Sequence, residues 1–123
     1  MSRVVVERYF AALNSGRFVA LADVFAPDVE ILTVGAAPVH GRDAALAHFP
    51  AVLASYPEHE DRVTRWIEAP GVAVCEITFR GRLADGRVVA FDALDVFDVV
   101  DGLIVRVRTW FDTRDVHRQV RGR

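Results

Sequence analysis

A chain of 123 residues is long enough for one domain with a sizeable core and short for two. With 52% hydrophobic residues, 26% charged residues and a net charge of −2, it has the composition of neither a disordered segment nor a nucleic-acid or membrane-surface binder. The lone cysteine, Cys75, excludes an internal disulfide and suits the cytoplasm, and no signal peptide or apolar run of about 18 residues points to a membrane.

In chain order, Val6, Tyr9, Phe10 and Leu13 recur at helical spacing, so residues 3–14 read as a helix that Asn14-Ser15-Gly16 stops. Phe18 to Phe25 reads as a second helix with Leu21, Ala22 and Phe25 on one side, ended by Ala26-Pro27-Asp28. Val29 to Val34 is a short strand, and Gly35 to Pro38 a turn. A third helix starts at Arg42 and runs through Leu46 and Phe49; Pro50 should break or kink it, and Val52-Leu53 continues or restarts its apolar face. Glu58 to Asp61 is a polar stretch. Strands follow at Arg62 to Glu68 and Val72 to Arg82, and Ala84-Asp85-Gly86 makes a hairpin turn. Phe91 to Asp112 reads as two long strands joined at Val100-Asp101-Gly102, and 114–123 as a solvated, arginine-rich tail. Helices first and hairpins after them predict a single α+β domain over 1–123. Its curved, cone-shaped mixed sheet would wrap around three N-terminal helices and leave a cavity against its concave face.

Asp95 is the anomaly. It alternates with Phe91, Ala93, Phe97 and Val99 on a strand face that reads as buried. A carboxylate there must be paired or must keep its proton.

Three stretches carry a family resemblance. Arg8 to Gly16 with Leu21 to Asp28, then Gly41 to Ala45, and finally Asp95-Val96-Phe97, Asp101-Gly102 and Trp110-Phe111-Asp112 resemble the SnoaL-like and ketosteroid-isomerase-like proteins of the nuclear transport factor superfamily. The resemblance spans nearly the whole chain and implies the cone fold, which hosts isomerases, epoxide hydrolases, polyketide cyclases and non-enzymes. Against ketosteroid isomerase, Tyr9 and Asp95 match the Tyr and Asp of an oxyanion hole, in which an apolar site keeps the carboxylic acid neutral. A phenol and a protonated carboxyl are both donors, and both can serve a developing enolate oxygen. The base position of that family falls on Leu32, which accepts no proton, leaving Glu30, His40 or Asp112 as replacements. Glu30 and His40 also read as solvated strand-end and turn residues, and Asp112 as a strand-end residue. The epoxide hydrolases' second Asp falls on Thr109, and Val74 to Arg80 offers no match for their Arg and first Asp.

The expected ligand is a small apolar molecule of polyketide or steroid type, with isomerase, cyclase or dehydratase chemistry as one reading and non-catalytic binding as another. Expected walls are Leu32, Phe49, Tyr56, Trp66, Phe79, Phe91, Phe97, Val107 and Phe111. No cofactor is expected, and the scattered His40, His48, His59 and His117 have no metal-ligand spacing. Leu94, Val96, Asp98, Arg106, Arg108 and Trp110 share the opposite sheet face, which suits a homodimer or an adaptor surface.

Overall fold

Residues 2–122 are described in a computed structural model, in which six strands form one curved, unclosed mixed sheet. The first helix, α1 (Ser2–Ser15), buries Val5, Val6, Tyr9, Phe10, Ala12 and Leu13, the face that the helical spacing predicts. A short 3-10 helix, Phe18–Asp23, follows. The strands and remaining helices are β1 (Phe25–Thr33), β2 (Val39–His40), α2 (Arg42–Leu53), β3 (Glu58–Ala69), β4 (Val72–Arg82), β5 (Val88–Val100), β6 (Leu103–Phe111) and α3 (Thr113–Arg121). Strand order is β2-β1-β6-β5-β4-β3. Only β1 and β6 run parallel, and β3 to β6 form an antiparallel meander. The resulting α+β cone, with α1, the 3-10 helix and α2 before the meander, matches the predicted fold.

Bulges between Val63 and Arg65 and between Asp98 and Val99 bend the outer and central strands. Asp101 and Gly102 both take positive φ, 51° and 75°, the mirror-image turn that matches strand twist in a two-residue hairpin. No helix among the described residues is long and apolar enough to cross a membrane.

Four local readings change. Phe25 is not the last residue of the second helix. It opens β1 opposite Ile104, and Ile104 donates its amide to the Val24 carbonyl at 2.8 Å, so strand pairing takes the backbone over. Pro27 falls where the β1–β6 register slips, the place where a strand tolerates a residue without N–H. The alternatives at Pro50 narrow to one: α2 is not broken there and continues through Val52 to Leu53. The polar stretch from Glu58 is the first third of β3.

The largest correction is at the C-terminus. Residues 114–122 are not a solvated tail: Thr113–Arg121 is helix α3, capped by Asp112, whose side chain accepts from the Asp115 amide at 3.0 Å. The helix docks where β5 outruns β6. There the Gln119 side-chain amide donates to the Ala90 carbonyl at 2.8 Å and accepts from the Ala90 amide at 2.9 Å, copying the missing neighbour strand. Arg87 donates to the Gln119 and Val120 carbonyls, both at 3.0 Å, holding the helix end. Expected from this geometry, Gln119→Ala destabilises the fold by about 1 kcal/mol and speeds amide exchange at Ala90. Urea melts and exchange by NMR measure both, and protection of Ala90 equal to wild type would contradict the docking role.

Candidate functional site

Residues in register across a sheet share a face, so the pairing defines the concave surface row by row. One row is Thr109, Asp95, Cys75 and Trp66, on β6, β5, β4 and β3. The next is Phe111, Ala93, Ile77 and Val63. A third is Phe91, Phe79 and Asp61. The Tyr9 ring on α1 lies against this surface, 5.1 Å from Phe97 and 5.5 Å from Phe49, edge-on to both.

Asp95 is 5% exposed, and its Oδ1 is buried with no hydrogen-bond partner. Burial pushes the carboxyl up to about 7; the Thr109 hydroxyl across the ladder draws it down, and the Asp61 carboxylate raises it further. Tyr9 is 3% exposed, and burial, then Asp95, Asp61 and Cys75, hold its phenol well above its ordinary value. Tyr9 therefore stays a neutral donor across the physiological range, and Asp95 is divided between acid and anion near neutrality. The two sense each other's charge, yet no hydrogen bond joins them among the described residues. Cys75 is fully buried, with its thiol pushed up to about 12, chiefly by burial and then by Asp95, so it is no thiolate nucleophile.

The predicted wall divides in two. Phe97 and Val107 are 0% and 1% exposed and Phe49 is 8% exposed, so they are packed core around Tyr9 rather than open wall. The narrow end of the cone is thus filled with rings, where the sequence pattern predicts a cavity. Trp66 is half-buried between Phe10, at 6.4 Å, and the Arg3 guanidinium, 4.6 Å over its ring, and locks α1 to β3. Tyr56, Phe79, Phe91 and Phe111 form a continuous aromatic ribbon with ring spacings of 5.1, 4.9 and 5.2 Å. Tyr56, Phe91 and Phe111 are half-buried, so this ribbon is the reachable part of the wall. Gly81 makes room for it: a Cβ there would come within 2.6 Å of the Tyr56 ring and 2.9 Å of Phe79.

Leu32 is not part of the wall. It pairs with Arg108 on the outer face, and the inward residues of β1 are Val29, Ile31 and Thr33. Glu30 shares that outer face opposite Arg106 and lies 3.3 Å from His40 Nδ1. Asp112 is the cap of α3. None of the three expected stand-ins for the base reaches the concave side. An open hollow of about 690 Å³, lined in part by Glu30, His40, Asp98 and Arg106, also lies on the outer side.

The carboxylate that does face inward is Asp61, a residue the sequence reading leaves in a polar stretch. Burial pushes it up to about 6, helped by Glu60. The signal for it is present: His59, Asp61 and Val63 alternate in step, and the bulge before Arg65 carries that face on to Trp66. Among the described residues no cluster of three or more His, Cys, Asp or Glu side chains is placed to hold a metal ion.

The fold has close counterparts. An NTF2-like protein of unknown function from Burkholderia pseudomallei superimposes with a TM-score of 0.88 at 21% identity, over 97% of this chain and 96% of its own. A putative SnoaL-like polyketide cyclase from Jannaschia sp. CCS1 gives 0.88 at 17% identity, over 97% and 90%. An LEH-like epoxide hydrolase of M. tuberculosis gives 0.81 at 23% identity, over 96% and 88%. At these identities the likeness shows the fold alone. No curated protein matches the chain. The SnoaL-like domain family matches residues 6–107, most of the molecule, and the chain belongs to that family.

Proposed function

We propose that this protein holds a small, flat, apolar molecule by a carbonyl or phenol oxygen, with Tyr9 and protonated Asp95 as paired donors. The observation that carries the reading is the buried, unpartnered Oδ1 of Asp95. A dry carboxyl with a free oxygen beside a neutral phenol is preorganised for an oxygen that gains negative charge. The aromatic ribbon from Tyr56 to Phe111 supplies a face on which a planar ligand can stack. The chemistry that follows is enol or enolate formation, as in an isomerisation or a polyketide-type cyclisation. The polyketide cyclase and the epoxide hydrolase among the fold relatives keep company with that reading.

The outer face supports a second partner, another copy of the chain, in the cytoplasm. Leu94 and Trp110 are in register there and 37% and 39% exposed, with the Arg108 guanidinium 4.8 Å from the Trp110 ring. Apolar rings rimmed by arginine are the composition of interface cores.

A nitrophenol, followed by its absorbance, mimics the enolate. Tyr9→Phe and Asp95→Ala should each weaken its binding by about ten- to a hundredfold, the worth of a hydrogen bond to a charged oxygen. Equal affinity in wild type and both variants would remove the donor pair.

Stability carries a second signature. Unfolding returns Asp95 to its ordinary pKa of 3.8 from about 7, so through that interval the folded state holds the proton more tightly. The margin is complete below about pH 4 and is lost as pH rises through 7. Asp95→Asn does not titrate, so its stability relative to wild type should climb between pH 4 and 8, by up to about 4 kcal/mol. Urea unfolding across that range measures it, and a pH-independent gap would mean that Asp95 is not held protonated. For the outer face, light scattering should give twice the mass of the chain, and Trp110→Glu should give the monomer. A monomeric wild type ends the dimer reading.

A further inference from the structure

We propose that Asp61 is the proton acceptor of the concave face, taking a proton from the carbon beside the carbonyl that Tyr9 and Asp95 hold. This rests on the oxygen-holding role proposed above and supplies the base that β1 lacks, since Val29, Ile31 and Thr33 are its inward residues.

Three features of the structure converge on Asp61. Its side chain faces inward, in register with Phe79 of the aromatic ribbon. Its backbone is clamped: the Asn14 side chain accepts from the Asp61 amide at 2.8 Å and donates to the Asp61 carbonyl at 2.9 Å. Asn14 ends the same helix that carries Tyr9, so the phenol and the carboxylate are fixed to one rigid element. Finally, the half-buried Asp61 carboxylate makes no ion pair or side-chain hydrogen bond among the described residues. A carboxylate that loses water without gaining a partner does nothing for the fold, and such groups concentrate at working sites. The companion observation that points to a ligand is the buried, unpartnered oxygen of Asp95 on the same surface.

The proton balance is simple. The Asp61 carboxylate takes the α-proton. The C–H electron pair becomes a carbon–carbon π bond, and the carbonyl pair moves onto oxygen, where Tyr9 and Asp95 donate to it. Reversal returns a proton from Asp61, on the same carbon or, in a conjugated ligand, on another. The step needs Asp61 ionised and Asp95 protonated. The titratable groups around Asp61 are Tyr9 on α1, Asp95 on β5, and His59 and Glu60 on its own strand. Burial, with Glu60 adding to it, pushes Asp61 up to about 6, against about 7 for Asp95. The working form is therefore most populated between those two values, which belong to the coupled pair.

The test is deuterium exchange at the α-carbon of α-tetralone in heavy water, followed by proton NMR, with nitrophenol binding measured in parallel. Wild type should exchange the α-protons faster than buffer, with a bell-shaped pH profile. Asp61→Asn should lose about a hundredfold or more of that rate, and the acid limb with it, while still binding nitrophenol. Asn14→Ala should lower the exchange rate without moving the limbs. Exchange in Asp61→Asn equal to wild type overturns the assignment. Nitrophenol binding with no exchange in wild type also overturns it and leaves the donor pair standing. Failure of both binding and exchange removes the donor pair and Asp61 together.

Discussion

The desolvation of one carboxyl governs this molecule. Asp95 lies under α1 and at the centre of the meander, flanked in register by Cys75 and Thr109, and its surroundings leave one oxygen with no partner. A buried polar atom without a partner costs about 1–3 kcal/mol, and a buried charge far more. Below about pH 7 the fold avoids the larger cost by keeping the proton on. That choice has a chemical consequence, because a protonated carboxyl is a donor and an ionised one is not. An apolar residue of similar size would pack in the same row with no such cost. The proposed donor role accounts for Asp95 by what it would offer to a ligand, since it gives the fold nothing that an apolar residue would not.

The rest of the architecture keeps that carboxyl dry. Tyr9, Phe10, Phe25, Phe49 and Phe97 pack ring to ring and close the narrow end of the cone. Their edge-to-face contacts fix the Tyr9 ring, and with it the direction of the phenol. At the wide end the aromatic ribbon is only half-buried, and α3 extends the sheet edge beside it through Gln119. The two bulges supply the bend that turns β3 toward α1, where Trp66 and the Asn14 clamp secure it.

Much of this is legible in the residues. Strand alternation alone places Asp95 on a buried face, and the helical period places Tyr9 on the face of α1 that meets it. Period and alternation are local, and both residues lie in long regular elements. The failures lie where a local rule meets a tertiary one. The family resemblance puts its base position on Leu32 and so implies an inward side chain, and a one-residue offset moves every side chain of a strand to the other face. Asp61 escapes notice because three of the four residues from Glu58 to Asp61 are acidic, and polarity masks the alternation. The C-terminal helix has no fully buried residue, and its apolar stripe is only Val116 and Val120, four apart and half-buried. It is held by capping, by Arg87 and by a side-chain amide on a strand edge, none of which has a periodic signature.

The charge map supports proton transfer, rather than anion capture, as the chemistry proposed for this surface. The chain has no lysine, and its arginines pair elsewhere: Arg106 with Asp98 at 2.8 Å, Arg65 with Glu76 at 3.5 Å, Arg82 with Glu58 at 3.8 Å. Among the described residues no guanidinium pairs with Asp61 or Asp95. A cation on the concave face would pull both carboxyls down to ordinary acid values and fix them as anions. With no cation paired to either, burial chiefly sets them, Glu60 adding to Asp61 and the Asp61 carboxylate adding to Asp95. Two carboxyls that titrate at about 6 and about 7 can stand in opposite states near neutrality, Asp61 ionised and Asp95 protonated. The same segregation makes a permanently anionic ligand a poor fit, because above neutrality it would meet two negative charges. What fits is a neutral molecule whose oxygen becomes negative only while Asp95 still carries its proton.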